Sequence, residues 1–200
     1  ITIDSYGKDT GAAGTTAPTI RSLDATGQGI ALYAKDGLTL ANSPVLGSGA
    51  HMSILADQDL DDTGTYSGSG VTLATLGTGT ITVTTNGNPV LGTLQNTMDG
   101  GNTGAIAVYF RGGGSTINDA VALKSDGGAI DLRAYNDLSL GASGSITVSR
   151  ASGANTPGLF TIEADWNNSL PSGDGAFTIN SASSITMNHG GALTILADED

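Results

Sequence analysis

The chain of 200 residues contains 31 glycines and no cysteine, and 19 acidic residues against 7 basic ones give it a formal net charge of −12. The glycines do not recur at every third position, which excludes a collagen-type helix, and the scarcity of lysine and arginine argues against binding to nucleic acid or anionic membranes. No apolar run approaches the roughly 18 residues of a membrane span. Aromatic residues make up only 4%, so a core has to be built from Ile, Leu, Val and Ala.

Short segments with alternating apolar residues occur along the whole chain and predict β-strands. Because successive side chains of a strand point to opposite faces, each apolar-x-apolar triplet is expected to bury its outer members and expose the middle one, which is often Thr. No segment keeps a helical apolar stripe for three turns, and Gly interrupts each candidate helix. The chain is therefore predicted to be all-β. In chain order, the predicted strand segments are 30–34, 38–40, 52–56, 71–73, 81–83, 106–108, 130–132, 146–148, 160–162, 177–179, 185–187 and 193–195.

The segments between these strands have the composition of turns, with many Gly, Asn, Asp and Ser residues. Two-residue hairpin signals are rare: Asn86-Gly87 is the best one, and it does not join two tightly alternating segments. This favours a solenoid, in which each short strand is followed by a corner and stacks parallel on the equivalent strand of the next coil. A tandem of β-sandwich domains is the alternative, and hairpin pairing between adjacent strands would reveal it.

An internal repeat supports the solenoid. Residues 23–40 match residues 123–140 without a gap, and later segments match with small changes in loop length. We interpret the chain as a single solenoid of two imperfect repeats, about 1–104 and 105–200.

A shorter period lies inside each repeat. One strand type reads apolar-x-apolar-x-Ala, and it ends at Ala34, Ala56, Ala134, Ala164 and Ala197. Coils of about 22 to 33 residues with three short strands predict a right-handed parallel β-helix of about seven coils, stacked ~4.8 Å apart. The recurring Ala fits a corner where little interior space remains.

The two ends of the sequence carry a further expectation. Residues 193–197 begin another strand of this type and stop without a polar cap, and residues 1–3 open in mid-pattern. Solenoids need caps, because an unpaired last coil is a template for strand addition. We therefore expect the chain to belong to a longer array, or to associate head to tail into a filament.

Two runs of the second repeat carry a resemblance to known proteins. Residues 128–140 (GAIDLRAYNDLSL) and 144–148 (GSITV) resemble the repeats of filamentous-haemagglutinin-like exoproteins, and they are similar to those of giant repetitive bacterial surface proteins and autotransporter passengers. The likeness extends over most of the chain. It implies a right-handed β-helix that is exported to the cell surface, with a role in adhesion, biofilm matrix or surface fibres, and it brings no catalytic residues.

An acidic segment after the strand at 52–56 is the main candidate for a metal site. Ca²⁺ takes about six to eight oxygen ligands, and carboxylates two residues apart can converge on one ion. Neither this segment nor its counterpart in the second repeat has the EF-hand spacing or the GGxGxD nonapeptide of calcium β-rolls, so acidity that serves only solubility is the alternative. The predicted calcium ligands are Asp57, Asp59, Asp61 and Asp62 in the first loop and Asp165, Asn167 and Asp174 in the second.

Catalysis is not expected. β-helices that cleave polysaccharides carry clustered acidic and basic residues, whereas Asp61-Asp62 and His189-Gly190 are only fragments of such a set. The 7 basic residues do not cluster along the sequence, so a group that stabilises an anionic intermediate is not evident.

Two weaker hypotheses concern the outer surface. Thr80, Thr82 and Thr84 suggest a threonine ladder of the kind that binds ice, although such positions do not repeat at a fixed coil length. Trp166 and exposed tyrosines could stack on sugars.

Together these observations predict an extracellular structural or adhesive β-solenoid without catalysis, such as a surface fibre, a matrix or filament subunit, or an adhesin shaft. Its expected partners are other copies joined head to tail, neighbouring repeats of the same polypeptide, and surface glycans, rather than nucleic acid or membrane. The rival hypothesis is a polysaccharide-binding or polysaccharide-cleaving β-helix. A cluster of aromatic, acidic and basic residues on one face of the rod would favour that rival.

Overall fold

A computed structural model describes the backbone of residues 2–5 and 19–20 and all atoms of residues 29–57, 64–152, 157–166 and 175–197. These residues form twenty β-strands, and they contain no helix long and apolar enough to cross a membrane. The strands are β1 (Thr2–Ser5), β2 (Thr19–Ile20), β3 (Ile30–Ala34), β4 (Leu38–Leu40), β5 (Val45–Ser48), β6 (Met52–Leu55), β7 (Tyr66–Ser67), β8 (Thr72–Leu76), β9 (Ile81–Asn86), β10 (Thr93–Thr97), β11 (Ile106–Arg111), β12 (Ser115–Ile117), β13 (Ala120–Ser125), β14 (Ile130–Ala134), β15 (Leu138–Leu140), β16 (Ser145–Ser149), β17 (Phe160–Glu163), β18 (Phe177–Ile179), β19 (Ser184–Met187) and β20 (Leu193–Leu196).

The strands stack into the three sides of a parallel β-solenoid. One side is an eight-stranded sheet in the order β1-β3-β6-β9-β11-β14-β17-β20, and the second is a six-stranded sheet in the order β19-β16-β13-β10-β8-β5. The third side consists of the sheets β2-β4-β7 and β12-β15-β18. Strands that are neighbours in a sheet come from successive coils and run parallel, because the chain passes through the other two sides between them. The predicted all-β solenoid is confirmed.

The alternative of tandem β-sandwiches is wrong for the described part of the chain, because no hairpin joins consecutive strands there. Asn86, which carried the best hairpin signal, ends β9 and pairs in parallel with Arg111 of β11. Gly87 follows in the left-handed region, with φ of 59°, and turns the corner instead of closing a hairpin.

The solenoid has about five turns, slightly fewer than the predicted seven. In the described residues, five turns have a strand on every side, as in β3-β4-β5 and β14-β15-β16. The turn through β9 and β10 has only a single parallel bridge, between Val90 and Ser67, on its third side. Pro89 precedes Val90 and has no N–H to donate to a ladder. Counting one strand type along the sequence does not reveal such a gap.

Inward-pointing side chains form apolar columns that run through the stack. Each member of a column pairs with the next in register, and burial of one such side chain contributes about 1.5–3 kcal/mol to stability. Outward neighbours are half-buried rather than exposed, since the strands above and below cover their flanks. One column on the eight-stranded sheet, each member at most 1% exposed, consists of Leu32, Ile54, Val83, Val108, Leu132 and Ile162.

The recurring alanines occupy the expected corners. Ala34 and Ala134 end β3 and β14, while Ala56 and Ala164 directly follow β6 and β17. All four are buried, with at most 3% of the side chain exposed. A larger side chain at these corners would meet the neighbouring sides of the solenoid, where interior space is smallest.

A buried amide fixes the corner after β10. The Nδ2 group of Asn96 donates to Oγ1 of Thr75 at 3.0 Å and to the carbonyl oxygens of Gly77 and Gly79 at 3.1 and 2.8 Å. Its Oδ1 accepts from the backbone N–H of Gly104 at 2.9 Å. One side chain thus satisfies backbone groups of two successive coils, which would otherwise be buried without partners.

A buried carboxylate does the same at the corner after β13. Asp126 accepts backbone hydrogen bonds from Met98 at 3.2 Å and from Ala151 and Ser152 at 3.0 Å. Burial by itself would raise the pKa of Asp126, but the hydrogen bonds from Ser152, Met98 and Ala151 outweigh burial and hold the pKa below its ordinary value. The carboxylate therefore stays charged while it joins three coils.

The last rung of the described stack is less buried than the rest. β18, β19 and β20 each lie at the end of their sheets. Ile179, Leu193, Ile195 and Leu196 on these strands are 39–46% exposed, because no further rung covers them in the described residues.

The division into two repeats, 1–104 and 105–200, stays a prediction. β3 and β14 share one alternating burial pattern, and β4 and β15 share another. In the eight-stranded sheet β3 and β14 lie four positions apart, so a repeat of about 100 residues would correspond to four rungs of this sheet.

Candidate functional site

An outward-facing ladder on the eight-stranded sheet brings unlike side chains together. Thr84 of β9 pairs with Tyr109 of β11, Tyr109 pairs with Arg133 of β14, and Arg133 pairs with Glu163 of β17. Adjacent strands lie about 4.8 Å apart. Because these residues alternate with the buried column along each strand, their side chains lie side by side on the outer surface.

The turn after β17 places Trp166 over this ladder. Asp165 has a φ of 58°, in the left-handed region that few residues other than glycine adopt. Its backbone N–H donates to the carbonyl oxygen of Asn136 at 3.3 Å, and that of Trp166 donates to Ala134 at 2.9 Å. The chain therefore folds back toward β14, and the indole lies across the outer face of the sheet.

Three aromatic rings from three coils meet at this point. The Trp166 ring lies 5.2 Å from the Tyr109 ring, with the planes tilted by 39°. It lies 5.4 Å from the ring of Tyr135, which follows β14, in an edge-on arrangement of 72°. These are favourable geometries for aromatic pairs.

Two arginines border the rings. The guanidinium of Arg111 lies 5.2 Å from the centre of the Tyr135 ring, and one of its N–H groups donates to the Tyr135 hydroxyl at 3.3 Å. The guanidinium of Arg133 lies 5.5 Å from the Trp166 ring. Both positions are within reach of a cation–π interaction. We call Tyr109, Tyr135, Trp166, Arg111 and Arg133 the aromatic patch.

The charges of the patch are partly compensated. Arg133 forms ion pairs with Glu163, at 3.3 Å, and with Asp131, at 3.8 Å, and all three side chains are 24–29% exposed. At this exposure the pairs contribute little stability, about 0–1 kcal/mol each. Their main effect is that Arg133 does not present an uncompensated positive charge, whereas Arg111 is hydrogen-bonded to a neutral phenol.

The aromatic patch borders a cavity of about 200 Å³ that is open to solvent. The cavity is lined by Thr84, Tyr109, Arg111, Tyr135 and Trp166. The cavity has apolar ring surface together with hydroxyl and guanidinium donors, which is the usual lining of a small-molecule site.

Two of the seven predicted calcium ligands lie in the described residues. Asp57 and Asp165 occupy the same corner of the eight-stranded sheet, after β6 and β17, and are buried. Four rungs separate them, roughly 19 Å, so they cannot share an ion. The remaining candidates lie outside the described residues, namely Asp59, Asp61, Asp62, Asn167 and Asp174.

Asp57 has a partner of its own. The Nδ2 group of buried Asn86 donates to Asp57 Oδ2, which joins the corners of two successive coils. Within the described residues, no group of three His, Asp or Glu side chains could hold a metal ion. Calcium binding by the acidic loops stays a prediction that depends mainly on residues outside that range.

Tyr66, on the strand after the first acidic loop, is the largest fully buried side chain of the solenoid. Burial raises the pKa of Tyr66 well above its ordinary value. Because Gly68 has no side chain, it leaves room for the phenol of Tyr66. A Cβ at Gly68 would overlap the Tyr66 hydroxyl. Tyr66 therefore belongs to the core rather than to an exposed ring surface.

The threonine ladder does not continue across the sheet. Thr82 pairs with Ser53 and Ala107, and Thr84 pairs with Leu55 and Tyr109. The described residues therefore do not provide the regular threonine array that ice binding would require.

Sequence reasoning found only part of the aromatic patch. The sequence indicates Trp166 and exposed tyrosines as residues that could stack on sugars, but it does not distinguish Tyr109 and Tyr135 from the other tyrosines. Arg111 and Arg133 are not close in the sequence, but in the structure they contact rings of the same cluster. The alternation along each strand indicates that these residues point outward. Which of them become neighbours depends on the register between successive rungs.

No protein-family model matches the chain, and no curated protein and no solved structure matches it either. The fold itself defines the class: the chain is a parallel β-solenoid of the β-helix repeat type.

Proposed function

We propose that this chain is an extracellular structural and adhesive β-solenoid, a rigid shaft without catalysis. The observation that carries the proposal is the apolar column that continues from rung to rung, with parallel pairing of every neighbouring strand in the eight-stranded sheet. A stack of this kind resists bending because each rung is bonded to the next along its length. The resemblance to filamentous-haemagglutinin-like repeats supports the same proposal, including export to the cell surface.

Association along the rod axis is part of the proposal. Among the described residues, Leu193 and Ile195 are exposed on β20, which lies at the edge of its sheet, and such an edge accepts a further strand. A further coil, from a second copy or from neighbouring repeats of the same polypeptide, would cover these side chains. In this arrangement the shaft lengthens without a change of fold.

The rival function, binding or cleavage of polysaccharide, is favoured in its binding form by the aromatic patch. Asp131 and Glu163, which lie on the outer surface beside the rings, are both engaged in ion pairs by Arg133. While these two carboxylates hold the guanidinium of Arg133, neither is free to approach a glycosidic oxygen as a general acid does. We therefore place glycan contact, but not glycan cleavage, within the adhesive function.

Sedimentation velocity and negative-stain electron microscopy test the proposal, with and without millimolar calcium. The expected result is concentration-dependent assembly into linear particles. Ile195→Asp should abolish assembly because it places a charge in the apolar column, whereas Thr194→Asp, on the outward side of the same strand, should preserve it. Monomers at every concentration would contradict self-association. Release of reducing ends from a polysaccharide would contradict the absence of catalysis.

A further inference from the structure

The geometry points to the aromatic patch as a binding site for an uncharged oligosaccharide of pyranose units. The inference rests on the proposed adhesive function and names the ligand that the shaft would contact. The chain has one tryptophan and five tyrosines, and the tryptophan and two of the tyrosines converge on this single point of the outer surface.

Packing of the core does not require this convergence. The inner face below the aromatic patch is filled by Val108 and Leu132, both fully buried, and the large aromatics Phe110 of β11 and Phe160 of β17 also belong to the core. Tyr109 and Trp166 are half-buried residues, not enclosed ones. Exposed aromatic surface bordered by hydrogen-bond donors marks a ligand site more often than a structural one.

The lining suits the two kinds of surface of a sugar ring. A β-linked pyranose with equatorial hydroxyls presents an apolar C–H face, which stacks on an aromatic ring, and a rim of hydroxyls, which needs polar partners. Tyr109 and Trp166 provide ring faces. Arg111 and Thr84 provide donors at the edge of the cavity, whose volume of about 200 Å³ suits about one monosaccharide with neighbouring units lying along the sheet.

Charge favours an uncharged ligand over an acidic one. Arg133 is compensated by Asp131 and Glu163, which leaves Arg111, hydrogen-bonded to the Tyr135 hydroxyl, as the one charged residue among the described residues that line the cavity. The whole chain carries a formal net charge of −12, which repels polyanions at a distance. Ring stacking is insensitive to salt, whereas recognition of carboxylates by arginine weakens as salt screens the charges. Salt dependence therefore separates the two kinds of ligand.

A proline-rich peptide is the other ligand that docks on aromatic surfaces. It needs an extended groove for several residues of polyproline helix. The cavity at the aromatic patch is small, about 200 Å³, and its lining residues lie on β9 and β11 and in the turns after β14 and β17. This shape favours the sugar.

Trp166 is the only tryptophan, so its fluorescence reports directly on the site. We expect saturable quenching or a blue shift of the emission when cellohexaose is added to the full chain, unchanged between low and high salt. Tyr109→Ala and Tyr135→Ala keep the reporter and should weaken binding by about tenfold or more, while Tyr109→Phe should retain binding because it keeps the ring.

Tyr33→Ala is the matched control. Tyr33 lies on the same outward ladder, three rungs from Tyr109 through Leu55 and Thr84, and its removal should leave binding unchanged. Thermal unfolding by circular dichroism verifies that each variant is folded, and saturation-transfer NMR measures binding without relying on the indole.

Four outcomes would overturn the inference. These are the absence of a saturable response to cellohexaose and to other uncharged β-linked oligosaccharides, an equal loss in Tyr33→Ala, tighter and salt-sensitive binding of hexagalacturonate, or tighter binding of a proline decapeptide. Sedimentation of the same samples distinguishes this failure from failure of the proposed shaft, since assembly does not depend on the aromatic patch.

Discussion

The indole of Trp166 lies 5.2 Å from the phenol of Tyr109, although strand β14 separates β17, which precedes Trp166, from β11, which carries Tyr109. The contact spans two rungs because Asp165 adopts a left-handed conformation and returns the chain toward β14. Tyr135, from the intervening coil, packs against the edge of the same indole.

This pair should show energetic coupling. In a double-mutant cycle of Tyr109→Ala and Trp166→Ala, we expect an interaction free energy of about 0.5–1.5 kcal/mol, measured by urea unfolding, because stacked rings contribute this much beyond burial of area. The same cycle with Tyr33→Ala in place of Tyr109→Ala should give a value near zero. Equal coupling in both cycles would show that the ring contact has no specific energetic role.

Close contact of backbones at one corner should make glycine necessary. A Cβ at Gly128 would overlap the carbonyl oxygen of Gly104 in the coil below, and backbone cannot move aside as a side chain can. Gly128→Ala is expected to lower the free energy of unfolding by about 1–3 kcal/mol. Gly113→Ala is the control, because a Cβ there meets nothing within 4 Å. Similar stability of the two variants would contradict this description of the corner.

Asp126 should make stability depend on pH. Its folded pKa lies below the ordinary value of 3.8, so the unfolded chain takes up the proton first as the pH falls. The stability that Asp126 contributes is therefore present above about pH 3.8 and is lost as the pH falls through the lower, folded pKa.

The comparison of Asp126→Asn with the wild type measures this effect in urea unfolding across the acid range. The difference should be about 1.5–3 kcal/mol near neutral pH and should shrink at low pH. Asp119→Asn removes an exposed carboxylate and should have little effect at any pH. A difference between Asp126→Asn and the wild type that does not change with pH would disprove the assignment.

The amide of Asn96 should not tolerate replacement by a carboxylate. Asn96→Asp would turn an oxygen toward the carbonyl groups of Gly77 and Gly79, where Nδ2 now donates. We expect a loss of about 3 kcal/mol or more at neutral pH, because one oxygen of a buried carboxylate would face the carbonyl oxygens of Gly77 and Gly79. Gln95→Glu, the same chemical change on the outward side of β10, should cost less than about 0.5 kcal/mol. Thermal and urea unfolding of both variants provide the measurement.

Calcium should stabilise the chain if the acidic loop binds it. At free calcium tenfold above the dissociation constant, linkage predicts a gain of about 1.4 kcal/mol, seen as a rise in Tm that a chelator reverses. Asp59→Asn combined with Asp61→Asn should remove the rise, while Asp36→Asn should preserve it. A Tm that is unchanged by calcium in the wild type would leave solubility as the role of these carboxylates.

Much of the fold was predictable because it depends on local alternation. Along Ile30–Ala34 the apolar residues alternate with polar or small ones, and the side chains alternate between buried and half-buried in the same order. The number of turns was less predictable. At Val90 the third side has only one bridge, and whether a short segment pairs depends on its neighbours in other coils rather than on its own sequence.

By itself, the sequence determined that the chain forms short strands and which residues of each strand enter the core, and it favoured stacking of successive strands over hairpins without excluding hairpins. These properties follow from side-chain alternation and turn composition within a few residues. Only the tertiary structure decided which outward residues become neighbours. Tyr109, Tyr135 and Trp166 come from three coils connected by loops of unequal length, and their meeting depends on the register of β11, β14 and β17 and on one left-handed residue, Asp165. Register is a property of paired strands, so a single strand read alone does not contain it.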